Sequence, residues 1–471
     1  MWTGGSVCTE MDVWSQASSA EVRAAQGRAA VAEPPGLYRP ATVRLFLLAA
    51  AYVAIPYGDL PGLGVSLSAP LLFLVALEVF LRPPERWLRR YRPWVVWALA
   101  IWLAVFFSAA LNGLRRGGAD VGLEDAKEVF YYAYWLLLVF PITVYLTSRL
   151  DLGRRVVRAM AVAVVLTACL RWFEALAWGK IGAWTSPRFF TQNTYGILFS
   201  TFTPMLLALL VDPGTKRRTP LAAGILLIWT AAAVNGSRGS WVALAGGVLL
   251  FTLLYLWVNP ARLRGLLWIM LLCLAFITAM EVAPERVVGA VSQRYATFQR
   301  LEEDKTFTSR QALVQKGLYL FRQSPIIGVG PGRWDKEYVV LELPSVLGED
   351  LEHFNRKTSH NSYVMFLAET GLLGVLPFGI LLLYLTVRGL QAAVRLARRG
   401  EYWALGLYVA FVTMGVHLWV LSGLTGTSTW MVYGLVAGMV QVAYLSPRVR
   451  PVGTGRKGTW NSHTGWMLPA P

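Results

Sequence analysis

Apolar runs of membrane-crossing length recur along almost the whole chain, separated by short polar connections. Twelve of them are predicted as helical spans: 41–58, 63–82, 93–112, 126–146, 156–177, 193–211, 220–236, 239–258, 264–283, 360–387, 402–421 and 427–445. In lipid each backbone N–H and C=O must be satisfied within the structure, so runs of this length predict helices. The first and seventh are short for a span. The pattern predicts an all-α polytopic membrane protein of about 12 transmembrane helices.

The pattern breaks in three places. Residues 1–38 are polar and Ala-rich, with Glu10, Asp12, Glu21 and Glu33, and lack the basic-then-apolar order of a signal peptide. They read as a disordered cytoplasmic tail or an over-long gene start. Residues 448–471 read as a second cytoplasmic tail. Between them, 39–283 carries spans 1–9 and 359–447 carries spans 10–12, on either side of one large loop, 284–358.

That loop has structure signals. Thr308 or Ser309 is placed to cap a helix running through Phe321, with Leu313, Val314, Leu318 and Phe321 on one broad face. Pro325 stops it. Gly328-Val329-Gly330-Pro331-Gly332 then predicts a turn. No strand precedes this glycine run and no clear helix follows it, so it lacks the setting of a phosphate cradle.

Composition confirms the class. The chain is 55% hydrophobic with 20 Trp, more than a soluble domain buries. A net charge of +17 raises nucleic acid as a partner, but the basic residues fall in clusters on alternate connections. Examples are Arg82 to Arg92, Arg149 to Arg158, Lys216 to Arg218, Arg388 to Arg399 and Arg448 to Lys457. That is the positive-inside bias, and no basic–aromatic recognition module accompanies it. It predicts cytoplasmic termini, and an extracytoplasmic (periplasmic) loop between spans 9 and 10. Cys8, Cys169 and Cys273 form neither a disulfide framework nor a metal motif.

With that sidedness, three polar residues share the outer face. Arg188 precedes span 6, Arg238 opens span 8 and His360 opens span 10, within Ser359-His360-Asn361-Ser362-Tyr363. Each span presents its N-terminus outward, and helix N-termini carry free N–H groups and partial positive charge. With two guanidinium forks they make an anion site suited to phosphate. A neutral His360 there would accept a proton from a hydroxyl; a bound diphosphate would favour its protonated form. The bland alternatives are snorkelling arginines and a surface histidine. Arg171 and Glu174 share a face of span 5 and read as a pair. Glu369 reads as a satisfied structural carboxylate and His417 as a packed, hydrogen-bonded core histidine.

Four segments carry a resemblance. Asn235-Gly236-Ser237-Arg238-Gly239-Ser240-Trp241 resembles the "SRG-aromatic" turn of the O-antigen ligase and polymerase superfamily. Arg310 and its helix, followed by Ser324-Pro325-Ile326-Ile327-Gly328-Val329-Gly330, resemble that family's loop segment. His360-Asn361-Ser362-Tyr363 through Glu369-Thr370-Gly371-Leu372-Leu373-Gly374 resembles its "HN-x-aromatic…E-x-G" segment. Pro187-Arg188 with Asn193 and Gly196 resembles its first arginine motif, although Thr191-Gln192-Asn193-Thr194 stands where "NPN" is common.

The resemblance implies a metal-independent, inverting membrane glycosyltransferase of the GT-C type that needs no cofactor. Its donor would be a glycan on undecaprenyl diphosphate. His360 would activate the acceptor hydroxyl, and Arg188 and Arg238, assisted by Arg310, would hold the diphosphate. The single large loop between spans 9 and 10 favours a ligase with a lipid A–core acceptor. An O-antigen polymerase and a protein O-oligosaccharyltransferase are alternatives within the superfamily. A lipid-linked glycan transporter is the alternative from another class, though midplane charge and an internal repeat are not evident. A cell-wall glycan polymerase is a further rival, without matching surroundings for Asp304 or Asp335.

Overall fold

A computed structural model describes residues 40–53, 68–81, 87–117, 123–148, 150–179, 181, 191–260, 263–299, 304–342, 350–421, 424 and 426–445. The two predicted tails, and Arg188 with its neighbours 182–190, lie outside these residues. Among the described residues every regular element is a helix. In chain order they are α1 (Pro40–Val53), α2 (Ser68–Leu81), α3 (Trp87–Arg115), α4 (Leu123–Ala133), a π-helical turn (Tyr134–Val139), α5 (Phe140–Thr147), α6 (Leu150–Trp178), α7 (Gln192–Val211) and α8 (Arg218–Asn235). There follow α9 (Arg238–Val258), α10 (Leu263–Glu281), α11 (Glu285–Ala296), α12 (Lys305–Gln323), α13 (Leu351–Asn355), α14 (Ser362–Ala397), α15 (Trp403–Leu418) and α16 (Thr427–Leu445).

Helix occupies most of the described part of each predicted span, with turns or bends at several of the predicted ends. Among the described residues seven helices are long and apolar enough to cross a membrane: Tyr91–Arg115, Ala126–Thr147, Leu150–Trp178, Gln192–Val211, Arg238–Val258, Leu263–Glu281 and Ser362–Ala397. They give the multi-pass character. Ala41–Ala50, Pro70–Val79 and Trp403–Leu418 are apolar but shorter.

α7 lies at the centre, packed against α6, α8, α9 and α15. Tyr195, Phe199, Phe202 and Leu206 on it are completely buried. α10 is the opposite case. Leu263, Leu267, Met270, Leu274 and Ile277 are all more than half exposed, a face that only lipid would cover favourably.

Two departures from regular helix have local causes. Span 4, predicted as one helix, passes through the π turn Tyr134–Val139 immediately before Pro141. Proline has no N–H to donate and its ring clashes with the carbonyl one turn back, and a widened turn relieves both. In α14 the second break is at Gly371, whose φ of 59° and ψ of −158° interrupt the helix.

The loop containing Gly328 docks into that break. Val329 N donates to Ala368 O and Gly330 N to Glu369 O, both at 2.9 Å. In return Leu372 N donates to Pro325 O and Leu373 N to Ile326 O, also at 2.9 Å. The interrupted helix thereby recovers backbone partners it would otherwise lack. α3 fastens the junction: Ser108 Oγ donates to Ile327 O at 2.6 Å, and Asn112 Nδ2 to Gly328 O at 3.1 Å. Glu369 is buried and accepts from Trp334 N at 3.2 Å, the structural role expected of it.

The loop helix begins earlier than predicted. α12 starts at Lys305, and its cap is Asp304 rather than Thr308 or Ser309. Asp304 Oδ1 accepts from Phe307 N at 2.9 Å, the stronger arrangement because the carboxylate also meets the helix dipole.

Candidate functional site

The Asn235–Trp241 turn joins the end of α8 to the start of α9. Gly236, at φ 70°, ends α8 in the left-handed conformation that glycine adopts without strain. Arg171 holds this turn from α6: Nε donates to Asn235 Oδ1 and Nη2 to Val234 O, each at 3.3 Å. Its expected partner Glu174 is 3.9 Å away, with both side chains fully buried. Gln192 and Asn235 exchange side chain to backbone hydrogen bonds, which ties the start of α7 to the same turn. A Cβ at Gly196 would meet Ser240 Oγ at 1.7 Å, so glycine is what lets α9 approach α7 here. Trp241 Nε1 donates back to Ala232 O at 2.8 Å, which accounts for the aromatic in the motif.

Arg238 emerges from this brace with its fork already engaged. Nη1 donates to Thr297 Oγ1 and Nη2 to Asp304 Oδ1, both at 2.9 Å. The Arg238–Asp304 pair is only 11% exposed on each side. Burial alone would raise the Asp304 pKa. The hydrogen bonds from Arg238 and Phe307 N, with the charges of Arg238 and Arg294, outweigh it and hold the carboxyl below its ordinary value.

Arg238, Arg294 and Arg310 line one cleft, together with Gln192, Asn193 and His417. Arg294, on α11, donates through Nε to Gly236 O at 3.1 Å. Arg310, on α12, has a buried Nε without a hydrogen-bond partner among the described residues. Burial, then the neighbouring arginines, lower the pKa of both Arg294 and Arg310. Clustered cations in a desolvated cleft favour an anionic ligand.

His360 borders this cluster. It precedes Asn361, the cap of α14, rather than opening the helix itself. Asn361 Oδ1 accepts from Tyr363 N and Val364 N at 3.1 and 3.0 Å. Ser362 Oγ donates to Leu421 O at 2.6 Å and Tyr363 OH to Gly415 O at 3.0 Å. Three of the four residues in His360-Asn361-Ser362-Tyr363 therefore act as anchors for the fourth. His360 itself has φ 51°, the one positive φ outside glycine among the described residues. A strained, braced backbone of this kind is common where a side chain must be aimed. Burial, followed by the charges of Arg310 and Lys357, lowers the His360 pKa below 6.5. Both effects favour the neutral ring over the imidazolium.

The structure thus brings Arg238, Arg310 and His360 into one neighbourhood, while Arg188 falls outside the described residues. The starts of α7 and α9 line the cleft, and α14 joins it through Leu421. Sequence reasoning missed Arg294 and the pairing of Asp304 with Arg238. Arg294 lies in no motif, and only its place on α11 brings it to the cleft. Among the described residues no group of three or more His, Cys, Asp or Glu is arranged to hold a metal ion.

Residues 223–379 match the family described as O-antigen ligase. The match runs from α8 into α14 and includes Arg238, Arg294, Arg310 and His360. No curated protein matches the chain. Over residues 223–379 the chain is similar to the O-antigen ligase family, and the match supports membership of the O-antigen ligase and polymerase superfamily.

Proposed function

We propose that this protein is an O-antigen ligase-like, inverting glycosyltransferase of the GT-C type. It moves a glycan from undecaprenyl diphosphate to a sugar of the lipid A–core, on the extracytoplasmic face of the bacterial inner membrane. The observation that carries this reading is the convergence of Arg238, Arg294 and Arg310 on one cleft, with His360 close enough to Arg310 to feel its charge.

In the proposed step the acceptor hydroxyl gives its proton to His360 as its oxygen attacks the anomeric carbon. The new glycosidic bond forms on the face opposite the leaving group, so the configuration inverts. The bond from anomeric carbon to diphosphate oxygen breaks, and undecaprenyl diphosphate leaves with the electron pair. Arg238 and Arg310, with Arg188 from the preceding motif, take up the charge that develops on that oxygen. Fixed cations help most where charge appears in the transition state. No metal enters this step, so transfer should continue in the presence of a chelator.

An apolar groove of about 960 Å³ supports a lipid-linked donor. It runs between α8, α9, α10 and α11, with Trp229, Trp241, Ile277 and Val291 in its wall. Trp241 is in the same helical turn as Arg238, and Tyr295 in the groove is adjacent to Arg294. A lipid tail in the groove would leave its headgroup at the cationic cleft.

The test is the surface glycan profile of a deletion strain complemented with wild type or His360→Ala. Polymer retained on undecaprenyl diphosphate, relieved by wild type alone, is the expected result. Acceptors carrying a single repeat would identify a polymerase instead. An unchanged profile in every strain would overturn the transferase reading.

A further inference from the structure

The cleft contains a side chain that the proposed step does not use. His417 lies at the end of α15, is 1% exposed, and lines the cleft with the three arginines. Its Nε2 is hydrogen-bonded to Ser200 Oγ on α7. Its Nδ1 is buried and has no hydrogen-bond partner among the described residues. Leaving a buried polar nitrogen unpaired costs about 1–3 kcal/mol. The nitrogen left to meet a ligand is therefore Nδ1, and His417 lines the same cleft as Arg310, whose Nε is also unpaired among the described residues.

We propose that His417 is a further anion-binding residue, whose Nδ1–H donates to a diphosphate oxygen held by Arg238, Arg294 and Arg310. This rests on the reading of the cleft as a diphosphate site. Ser200 makes the required tautomer accessible. Its hydroxyl has one proton, which it gives either to Gly196 O, at 2.8 Å, or to the His417 ring. In the first arrangement Oγ accepts from Nε2–H and Nδ1 presents a lone pair, which an anion repels. In the second Oγ donates to Nε2 and Nδ1 carries the proton, which an anion attracts. An anion in the cleft selects the second. The ring then has both nitrogens satisfied without bringing another full charge among three arginines.

The test uses inorganic pyrophosphate and full-length protein in lipid vesicles. Nitrogen-15 spectra of histidine-labelled protein contain four histidines, and the His417→Gln variant assigns the signal of His417. Pyrophosphate should move His417 to the Nδ1–H form. His417→Leu should weaken pyrophosphate binding about tenfold, the equivalent of about 1.4 kcal/mol. His417→Gln, which keeps an N–H donor, should retain most of it. Binding that is lost in Arg238→Ala, yet unchanged in His417→Leu and with no movement of the His417 signal, would overturn the role of His417 alone. Absence of pyrophosphate binding to the wild type would overturn the diphosphate cleft and this role with it. Should His417→Leu fail to fold, the spectra and the Gln variant decide the matter.

Discussion

Arg238 Nη2 lies 2.9 Å from Asp304 Oδ1, so the arginine of the α8–α9 turn already holds a carboxylate supplied by the outer loop. A diphosphate must compete with that carboxylate for the same fork. Asp304→Asn removes the charge but keeps a side chain that caps α12 well. It should bind pyrophosphate on the order of tenfold more tightly, a gain of about 1.4 kcal/mol, at some cost in thermal stability because the charge of Arg238 loses its partner. Asp304→Ala should in addition lose about 1 kcal/mol of stability with the cap. Titration calorimetry on the three proteins separates these effects, and weaker binding by Asp304→Asn would contradict the competition.

Arg238→Lys keeps the charge and loses the fork. The two nitrogens of Arg238 reach Thr297 and Asp304 at the same time, a planar geometry that one ammonium does not reproduce. Transfer should fall by about 10² to 10³ in kcat/KM, the magnitude seen when a preorganised donor to developing charge is removed. Expression and thermal unfolding should stay near wild type. Normal turnover in this variant would mean that Arg238 only anchors the loop.

His360 combines a left-handed backbone with a lowered pKa, and the two properties separate by mutation. Asparagine tolerates the left-handed conformation best among the non-glycine residues. His360→Asn should therefore unfold at a temperature near wild type while losing about 10² to 10⁴ of transfer rate, the contribution of a general base. His360→Ala should lose transfer equally. Because the neutral ring is the active form and its pKa is lowered, the acid limb of kcat/KM should fall below pH 6.5. Burial is the larger cause and Arg310 the next. Arg310→Gln should thus move the limb upward toward pH 6.5 without reaching it. A limb above pH 6.5 in the wild type would exclude His360 as the base.

The all-helical, apolar character was legible because hydrophobicity is a local property, read off each run in turn, whereas seven rather than twelve helices among the described residues reach spanning length. Arg238, Arg310 and His360 were legible because each is a polar exception beside a recognisable motif. Asp304 was not, since its role depends on a partner 66 positions earlier. Nor was the break in α14. Gly371 belongs to a recognisable motif, but a glycine within an apolar run does not announce a helix break, and only the loop at Gly328 shows that the backbone turns there. The π turn before Pro141 escaped for a similar reason, since hydropathy reports burial and carries no information on helical pitch.

The Gly328–Gly371 junction makes its own prediction. A Cβ at Gly328 would stand 2.3 Å from the backbone carbonyl of Glu369, and one at Gly371 would stand 2.5 Å from Ile326 O. Both glycines also have positive φ, at 69° and 59°. Gly328→Ala and Gly371→Ala should each destabilise by roughly 2–4 kcal/mol, from the left-handed backbone and the overpacking together. Gly289→Ala is the control, because no atom lies within 4 Å of its Cβ position. Unfolding in detergent should separate the first two from the control. Wild-type stability in both would mean that the loop does not dock into α14 as described.

Sidedness decides whether the cleft meets a donor at the outer face. Glu285 opens α11, the helix that carries Arg294, and is exposed. Arg399 follows α14 at its basic end and is also exposed. With Cys8, Cys169 and Cys273 replaced by alanine, a cysteine at either position is the sole thiol. A membrane-impermeant maleimide should label Glu285→Cys in intact spheroplasts and Arg399→Cys only after permeabilisation, as the positive-inside rule requires. The reverse pattern would put Arg238, Arg294 and Arg310 on the cytoplasmic side. A glycan presented at the outer face would then have no access to them, and the proposed transfer would fail however well the residues are arranged.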